Sequence, residues 1–198
     1  MGPASSGSPS LLPFSGIPEA DALLAADPMA LLIGFVLDQQ VPLEWAFSSP
    51  LELRRRIGTL DPVRIAEMDP QALEAAFRQR PMLHRFPGAM ARRVQELAAV
   101  LVRDYGGDPT RIWHEAGSGE ELHRRLRALP GIGEMKAGTL VAVLAKRLGV
   151  RPAGWEAVVP DHPTLGDVDS DEARRAYQAF KRARKAELRA GADKVGGG

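Results

Sequence analysis

Leu129-Pro130-Gly131-Ile132-Gly133 lies between two segments with helical periodicity, and this short stretch decides how the chain is expected to fold. Before it, Ser118 and Glu121 have the spacing of a capping box and predict the start of a short helix. After it, the apolar residues 137–148 predict a buried helix that Gly149 closes. The two glycines of the connection can adopt positive φ and allow another backbone to approach closely. The stretch therefore predicts a tight, exposed helical hairpin.

The start of the second hairpin helix has a chemical character of its own. Its first N–H groups have no partner within the helix, and the aligned peptide dipoles favour an anion there. A nucleic-acid phosphate is a natural ligand for such a position. The alternative is a hairpin that serves only for packing between two helices.

The rest of the chain also has helical character. Residues 29–40 predict a central buried helix with a polar end, and Ser170 predicts the cap of a last, basic helix. No segment alternates with the period of a strand, so the sequence predicts an all-α fold. Four helix starts, the first of them that of the central helix, are predicted where a capping Asp or Ser precedes Pro: Asp27-Pro28, Ser49-Pro50, Asp61-Pro62 and Asp69-Pro70.

Composition limits the classes of protein to consider. The 198 residues contain no cysteine, which excludes disulfides, thiolate zinc sites and iron–sulfur clusters held by four cysteines. No signal peptide or membrane span is recognised, so a cytoplasmic, nucleoid-associated protein is expected. We predict a flexible arm over residues 1–20, one domain over 21–190 and a disordered tail over 191–198.

The net charge is only +1, so affinity for nucleic acid must come from local basic patches. The alternative for any one patch is a solvated helix face. The candidate patches are Arg54-Arg55-Arg56, Arg92-Arg93, residues 124–127 and residues 171–190.

Three pieces of the sequence together resemble one known family. The hairpin at residues 129–133, Leu37-Asp38-Gln39-Gln40 and residues 84–94 resemble, in order and spacing, motifs of the HhH-GPD superfamily of DNA glycosylases. The resemblance extends from about Asp27 to about Ala190 and is greatest to cysteine-free, actinobacterial-type members. It implies a two-lobed helical fold with the active site in a cleft between the lobes.

The resemblance also implies a function in base excision repair. Such a protein binds double-stranded DNA as a monomer, flips a damaged or modified base and hydrolyses its N-glycosidic bond. No cofactor is expected, and the hairpin is a candidate site for a monovalent cation. The implied DNA-binding residues are Gln39, Gln40, Gly131, Ile132, Gly133, Lys136 and Arg92.

Gln40 matches the position of a family glutamine that fills the space vacated by the flipped base. The alternative is that Gln39 and Gln40 only satisfy backbone groups at the end of a buried helix. The other candidates for the base pocket are Asp38, Trp45, His84 and Trp155. For the tryptophans the alternative is a place in the core, and for His84 a local hydrogen bond.

Base excision needs a carboxylate, because positive charge develops on the sugar as the glycosidic bond breaks. The family's aspartate follows the second hairpin helix, and Asp161 in Val158-Val159-Pro160-Asp161 resembles it, at a longer interval from the hairpin than usual. Asp167, directly before the last helix, is the second candidate. Either aspartate is alternatively a turn or cap residue.

Members of the family that also cleave the DNA strand carry a lysine two residues after the last hairpin glycine. This chain has Met135 there and Lys136 one residue later, and one residue turns a helix by about 100°. Lys136 therefore stays a candidate catalytic or phosphate-binding residue, but a glycosylase without lyase activity is expected.

Two other functions are considered. A non-catalytic DNA-structure-binding protein of the same fold would keep the hairpin without the catalytic carboxylate. A helical protein–protein adaptor would leave the hairpin glycines and the basic last helix without a common purpose.

Overall fold

The computed structural model describes residues 11–195 of the chain, with side chains described up to residue 187. In this part the chain forms ten α-helices and two 3₁₀ turns and contains no strand, so the predicted all-α fold is confirmed. The α-helices are α1 (Pro18–Ala26), α2 (Pro28–Leu37), α3 (Leu43–Ile57), α4 (Pro62–Glu67), α5 (Pro70–Arg78), α6 (Pro87–Tyr105), α7 (Arg111–His114), α8 (Gly119–Arg127), α9 (Glu134–Arg147) and α10 (Asp171–Val195). The 3₁₀ turns are Trp155–Val158 and Leu165–Asp167.

Aspartate caps begin three of these helices where the Asp-Pro pairs predict them. Asp27, Asp61 and Asp69 each accept hydrogen bonds from free N–H groups in the first turn of the following helix. The fourth predicted start, Ser49-Pro50, is wrong because both residues lie inside α3. The Ser49 hydroxyl lies 2.8 Å from each of the Trp45 and Leu83 carbonyls, between which its one proton is shared, and therefore does not cap a helix.

Helix α2 lies at the centre of the structure, and every residue from Met29 to Leu37 is buried. The helix ends at Leu37, before the predicted end at Gln40, because the chain turns away at Asp38. The N–H of Asp38 still donates to the Gly34 carbonyl at 2.9 Å. The polar residues that follow Leu37 therefore lie just outside the core, directly after the end of α2.

An aromatic cluster fixes α2 against α3. The Phe47 ring makes edge contacts with Phe14, at 5.2 Å between ring centroids, and with Phe35, at 5.3 Å. Gly34 lets this ring approach, because a Cβ on Gly34 would lie only 2.6 Å from Phe47 Cδ1. The close approach depends on the missing side chain.

The predicted flexible arm over residues 1–20 is wrong from residue 11 onward, and residues 1–10 lie outside the described part of the chain. Leu12 and Phe14 are fully buried. Asp21 holds this segment by accepting hydrogen bonds from the Ser15 N–H at 2.8 Å and the Ser15 hydroxyl at 2.6 Å. Apolar burial and these buried hydrogen bonds order the segment.

The last helix, α10, contacts the N-terminal segment through Arg174 and continues to Val195, so the predicted disordered tail begins too early. Residues 196–198 lie outside the described part of the chain. As predicted, Ser170 caps this helix by accepting from the Ala173 N–H at 3.1 Å. Buried Arg174 donates to the Pro13 carbonyl at 3.3 Å and to Asp171 at 2.8 Å. One guanidinium thus ties the first part of the described chain to the last helix.

The buried apolar side chains form one cluster that extends from Leu12 to Val168. The division into two lobes stays a prediction.

Among the described helices, none is by itself long and apolar enough to cross a membrane; α1 and α2 meet that requirement only jointly, across a bend of 114°.

We expect Gly34→Ala to lower the free energy of unfolding by about 1–2 kcal/mol. The added methyl must displace Phe47, and overpacking of this kind costs about 1–3 kcal/mol, more than the gain in helix propensity of up to about 1 kcal/mol. Denaturant unfolding measures the effect. Gly117→Ala is the control, because a Cβ there has its nearest neighbour at 3.5 Å. Equal stability of the Gly34 variant and the parent would contradict the packing described here.

Candidate functional site

The connection between α8 and α9 forms the predicted hairpin, but it is exposed on one side only. Leu129 and Ile132 are buried, and the Ile132 N–H donates to the Leu129 carbonyl at 3.1 Å. Gly131 has φ +80°, and a Cβ there would lie 2.8 Å from Arg93 Cδ. No atom would lie within 4 Å of a Cβ on Gly133. Gly131 is therefore required for the turn, whereas Gly133 leaves open space in front of the hairpin.

The N-terminus of α9 faces this open space. Gly133 occupies the cap position, and no side chain of the described residues caps the helix. The first side chain of the helix, Glu134, is turned toward Arg127 at 2.7 Å, and this hydrogen bond lowers the pKa of the carboxyl group. The N–H groups at the start of α9 thus remain available to an anion.

Lys136 connects the hairpin to α2. Its Nζ donates to the Phe35 carbonyl at 2.7 Å and to the Gly131 carbonyl at 3.3 Å. Burial lowers the pKa of the Lys136 amine from its ordinary value, and nearby Asp38 opposes this shift. Met135, at the family's usual lysine position, is 70% exposed. The amine of Lys136 therefore lies at the wall of the site, held by two carbonyls.

A cavity of about 420 Å³ lies between the end of α2, the start of α9 and one face of α10. Its volume is within the range of small-molecule sites. Aromatic rings form much of the wall, and the His162 and Phe180 rings lie 5.8 Å apart. The lining residues are Phe35, Asp38, Met135, Lys136, Thr139, His162, Pro163, Leu165, Tyr177, Phe180, Lys181, Arg184 and Lys185.

A wider cleft of about 730 Å³ adjoins this cavity. Cationic side chains outnumber its two carboxylates, Asp38 and Glu44, so the cleft suits a polyanion. Asp38, Lys181 and Lys185 line both the cavity and the cleft and therefore mark their boundary. The lining residues of the cleft are Asp38, Gln39, Gln40, Val41, Pro42, Leu43, Glu44, Arg85, Gln178, Lys181, Arg182 and Lys185.

Gln39 and Gln40 differ in their contacts. The Gln39 amide donates to the Val36 carbonyl at 2.8 Å, the backbone role that was the alternative for this residue. Gln40 is exposed in the cleft and has φ +57°, a conformation that non-glycine residues rarely adopt. Strained backbone of this kind is typical of functional sites. Gln40 is thus exposed at the cleft, and its role in filling a gap in DNA stays a prediction.

His84 is fully buried behind the cleft rather than lining it. Its Nδ1 accepts from the Phe86 N–H at 3.0 Å, and its Nε2 lies 3.0 Å from the Gln39 carbonyl, so the neutral ring donates there. Burial lowers the pKa of His84, which favours this neutral form. His84 holds the backbone that carries Gln39, which is the local role considered for it.

The two tryptophans lie away from the cavity. Trp45 donates from Nε1 to the Met82 carbonyl at 3.0 Å and lines a separate pocket of about 210 Å³. Trp155 lies in the 3₁₀ turn that packs against α8. Of the four residues predicted for the base pocket, the structure brings only Asp38 to the cavity and cleft.

The two candidate aspartates are not brought to the cavity either. Asp161 is exposed and lines a neighbouring depression with His162 and Phe180. The Asp167 carboxylate accepts a hydrogen bond from Lys146 at 2.6 Å and forms a capping box with Thr164. Burial raises the pKa of Asp167, but these hydrogen bonds outweigh it and the pKa is lowered. The structure therefore gives Asp167 the cap role that was its alternative.

Several residues at the site escaped the sequence analysis. Tyr177 and Phe180 follow the apolar periodicity of the last helix, yet periodicity does not tell a core position from a cavity wall. Burial raises the pKa of Tyr177 well above its ordinary value, so its hydroxyl stays protonated. Lys181 lies 3.8 Å from Asp38. In the sequence it is only one of several cations in a basic run, so nothing there marked it as a residue of the site.

Of the remaining predicted DNA-binding residues, Arg92 is exposed on α6, the helix that also carries Arg93 against the hairpin.

Among the side chains that the structure describes, no group of three or more His, Cys, Asp or Glu residues could hold a metal ion.

Comparison with known proteins identifies the family. A family model described as HhH-GPD superfamily base excision DNA repair protein matches residues 33–190, from inside α2 through the hairpin into α10. No match to the chain was found among curated proteins or among solved structures. The matched range covers most of the chain and contains the hairpin, the cavity and the cleft. The chain therefore belongs to the HhH-GPD superfamily of base excision DNA repair proteins.

Proposed function

We propose that this protein is a monofunctional DNA glycosylase, which binds duplex DNA, flips a damaged or modified base into the cavity and hydrolyses its N-glycosidic bond. The observation that carries the proposal is the arrangement of three features side by side. A hairpin with free amides, a basic cleft and an aromatic cavity meet around Asp38 and Lys136. Each feature suits one part of an extrahelical nucleotide.

The hairpin and the cleft suit the DNA backbone. The free N–H groups of α9 would bind one phosphate, and Arg85, Lys181, Arg182 and Lys185 would face others across the cleft. Gln40 would enter the space that the flipped base leaves. Flipping costs a few kcal/mol of stacking and pairing, which these contacts must offset.

The cavity suits the base. Tyr177, Phe180 and His162 line it with aromatic rings, and its volume of about 420 Å³ suits a ligand of this size. In the reaction, water adds to C1′ while the C1′–N bond breaks and its electron pair leaves with the base. The water proton passes to a carboxylate, and the released base takes up a proton.

The position of Lys136 supports hydrolysis by water rather than attack by an amine. Its Nζ is engaged with the Phe35 and Gly131 carbonyls, so a nucleophilic role would require both hydrogen bonds to break. We propose that Lys136 positions the hairpin and does not form a covalent intermediate.

We expect Gly133→Val to weaken binding to duplex DNA about tenfold without loss of stability. The added side chain has room in the free protein but would stand between the α9 amides and a phosphate, at the cost of about one charge-assisted hydrogen bond. Fluorescence anisotropy with a labelled duplex measures the affinity. The parent affinity should itself fall about tenfold or more between about 50 and about 200 mM salt.

Gly117→Val is the matched control for this experiment, because it adds the same side chain to an exposed glycine with its nearest neighbour at 3.5 Å. Gly131→Val is a less useful probe, since it would collide with Arg93 and strain the turn. If affinity is insensitive both to salt and to Gly133→Val, the proposed interface is wrong.

We expect the parent protein to release a base from at least one member of a panel of duplexes that each contain a single lesion. Single-turnover incubation followed by alkaline strand cleavage detects the abasic product. Tight binding to lesion duplexes with no release from any of them would favour the non-catalytic DNA-structure-binding protein.

We expect no covalent adduct between protein and DNA when borohydride is added during base release, because the Lys136 amine is engaged with its two carbonyl partners. A lyase of the same superfamily serves as the positive control. An adduct that disappears in Lys136→Met would show that the enzyme forms a Schiff base and is not monofunctional.

A further inference from the structure

We propose that Asp38 is the catalytic carboxylate that faces the sugar of the flipped nucleotide. This inference rests on the proposed function and names the group that acts on C1′. Asp38 was expected only as a residue of the base pocket, and the aspartates expected to act on the sugar were Asp161 and Asp167.

The position of Asp38 between two spaces is the first argument. A flipped nucleotide places its base in the aromatic cavity and its phosphates in the basic cleft, so the sugar that joins them lies at the boundary. Asp38, Lys181 and Lys185 line both spaces. Among the described side chains, Asp38 is the carboxylate at that boundary.

The surroundings of the carboxylate are the second argument. Its side chain is 16% exposed, and the nearest cation, Lys181, lies 3.8 Å away, beyond a hydrogen bond. None of the described side chains or backbone groups donates a hydrogen bond to this carboxylate. Its oxygens are thus free to face a sugar or a water molecule in a site with limited access to solvent.

The backbone on both sides of the Asp38 side chain is held in place. Asp38 follows the last residue of the buried helix α2, and its N–H continues the hydrogen bonding of that helix. On the other side, Gln39 is held by His84 through its carbonyl and by Val36 through its side chain. A charge placed in advance stabilises a developing cation without reorganisation during the reaction.

The other aspartates have contacts that fit different roles. Asp161 is exposed in a separate depression that His162 and Phe180 also line. Asp167 accepts hydrogen bonds from Lys146, from the Thr164 N–H and from the Thr164 hydroxyl. Neither of them lines the cavity or the cleft.

In the step assigned to Asp38, the C1′–N bond breaks and its electron pair leaves with the base, so positive charge develops on the sugar. The Asp38 carboxylate stabilises this charge and accepts one proton from the water that bonds to C1′. That proton then passes to solvent while the departing base takes up a proton, so the carboxylate is restored.

The test uses stable DNA probes, so the damaged base need not be known. One duplex carries a pyrrolidine abasic analogue, whose ring is cationic, and the other carries a neutral tetrahydrofuran abasic analogue. The parent should bind the cationic duplex at least about tenfold more tightly, because a fixed carboxylate faces the charge. Asp38→Asn should bring the ratio of the two affinities close to one.

Asp169→Asn is the matched control, since it removes one exposed carboxylate from a position outside the cavity and the cleft. It should keep the parent ratio. The assignment would be overturned if Asp38→Asn keeps the affinity ratio of the parent. It would also be overturned if the ratio is lost in Asp161→Asn or Asp167→Asn instead.

A second variant keeps the assignment testable if Asp38→Asn is unstable. Lys181→Gln removes the cation that faces Asp38 while leaving the carboxylate, so the preference for the cationic duplex should increase. An unchanged or smaller preference would count against Asp38.

Failure of the proposed function has a different signature. If the parent binds neither abasic duplex better than undamaged DNA, the cleft does not accept an extrahelical nucleotide, and both proposals fail. If it binds both abasic duplexes more tightly but equally, the proposed function stands and the assignment of Asp38 is wrong.

Discussion

The hydrogen bonds of Lys136 to the Phe35 and Gly131 carbonyls hold the site together. Through them, the start of α9 and the end of α2 meet at a defined distance, although 101 residues separate Lys136 from Phe35. The ammonium also satisfies a carbonyl at the C-terminal end of α2, where the helix dipole favours a cation. The hairpin amides and Asp38 consequently keep a fixed relation to each other.

Charge is distributed unevenly around this connection. The net charge of the whole chain is only +1, yet the cleft gathers Arg85 and several cations of α10. The walls of the cavity combine aromatic rings with cationic side chains, and Asp38 is the one carboxylate among its described lining residues. The cleft therefore suits a polyanion, and the cavity offers aromatic surface next to a single negative charge. The last helix contributes to both surfaces and so shapes the site as much as the hairpin does.

The sequence predicted a helix start correctly where the capping contact joins residues close together in the chain. The caps at Asp27, Asp61 and Asp69 depend on side chains and amides two or three residues away. Ser49 has the same local pattern, but its hydroxyl finds the Leu83 carbonyl, a partner 34 residues away that no local pattern contains. The segment from residue 11 was misread for the same reason, because its order comes from contacts with Phe47 and Arg174.

The all-α fold and the hairpin at residues 129–133 could be predicted from the amino-acid sequence, since helical periodicity and glycine placement are properties of neighbouring residues. The composition excluded cysteine-based clusters, and the order of the motifs revealed the resemblance to the family. Which polar residues meet depends instead on how the distant helices pack. Asp161 and Asp167 have suitable positions along the chain, but the Asp161 side chain is exposed to solvent and the Asp167 carboxylate accepts a hydrogen bond from Lys146. Asp38 reaches the boundary of cavity and cleft because α2, α9 and α10 converge there, and such convergence depends on packing between distant segments.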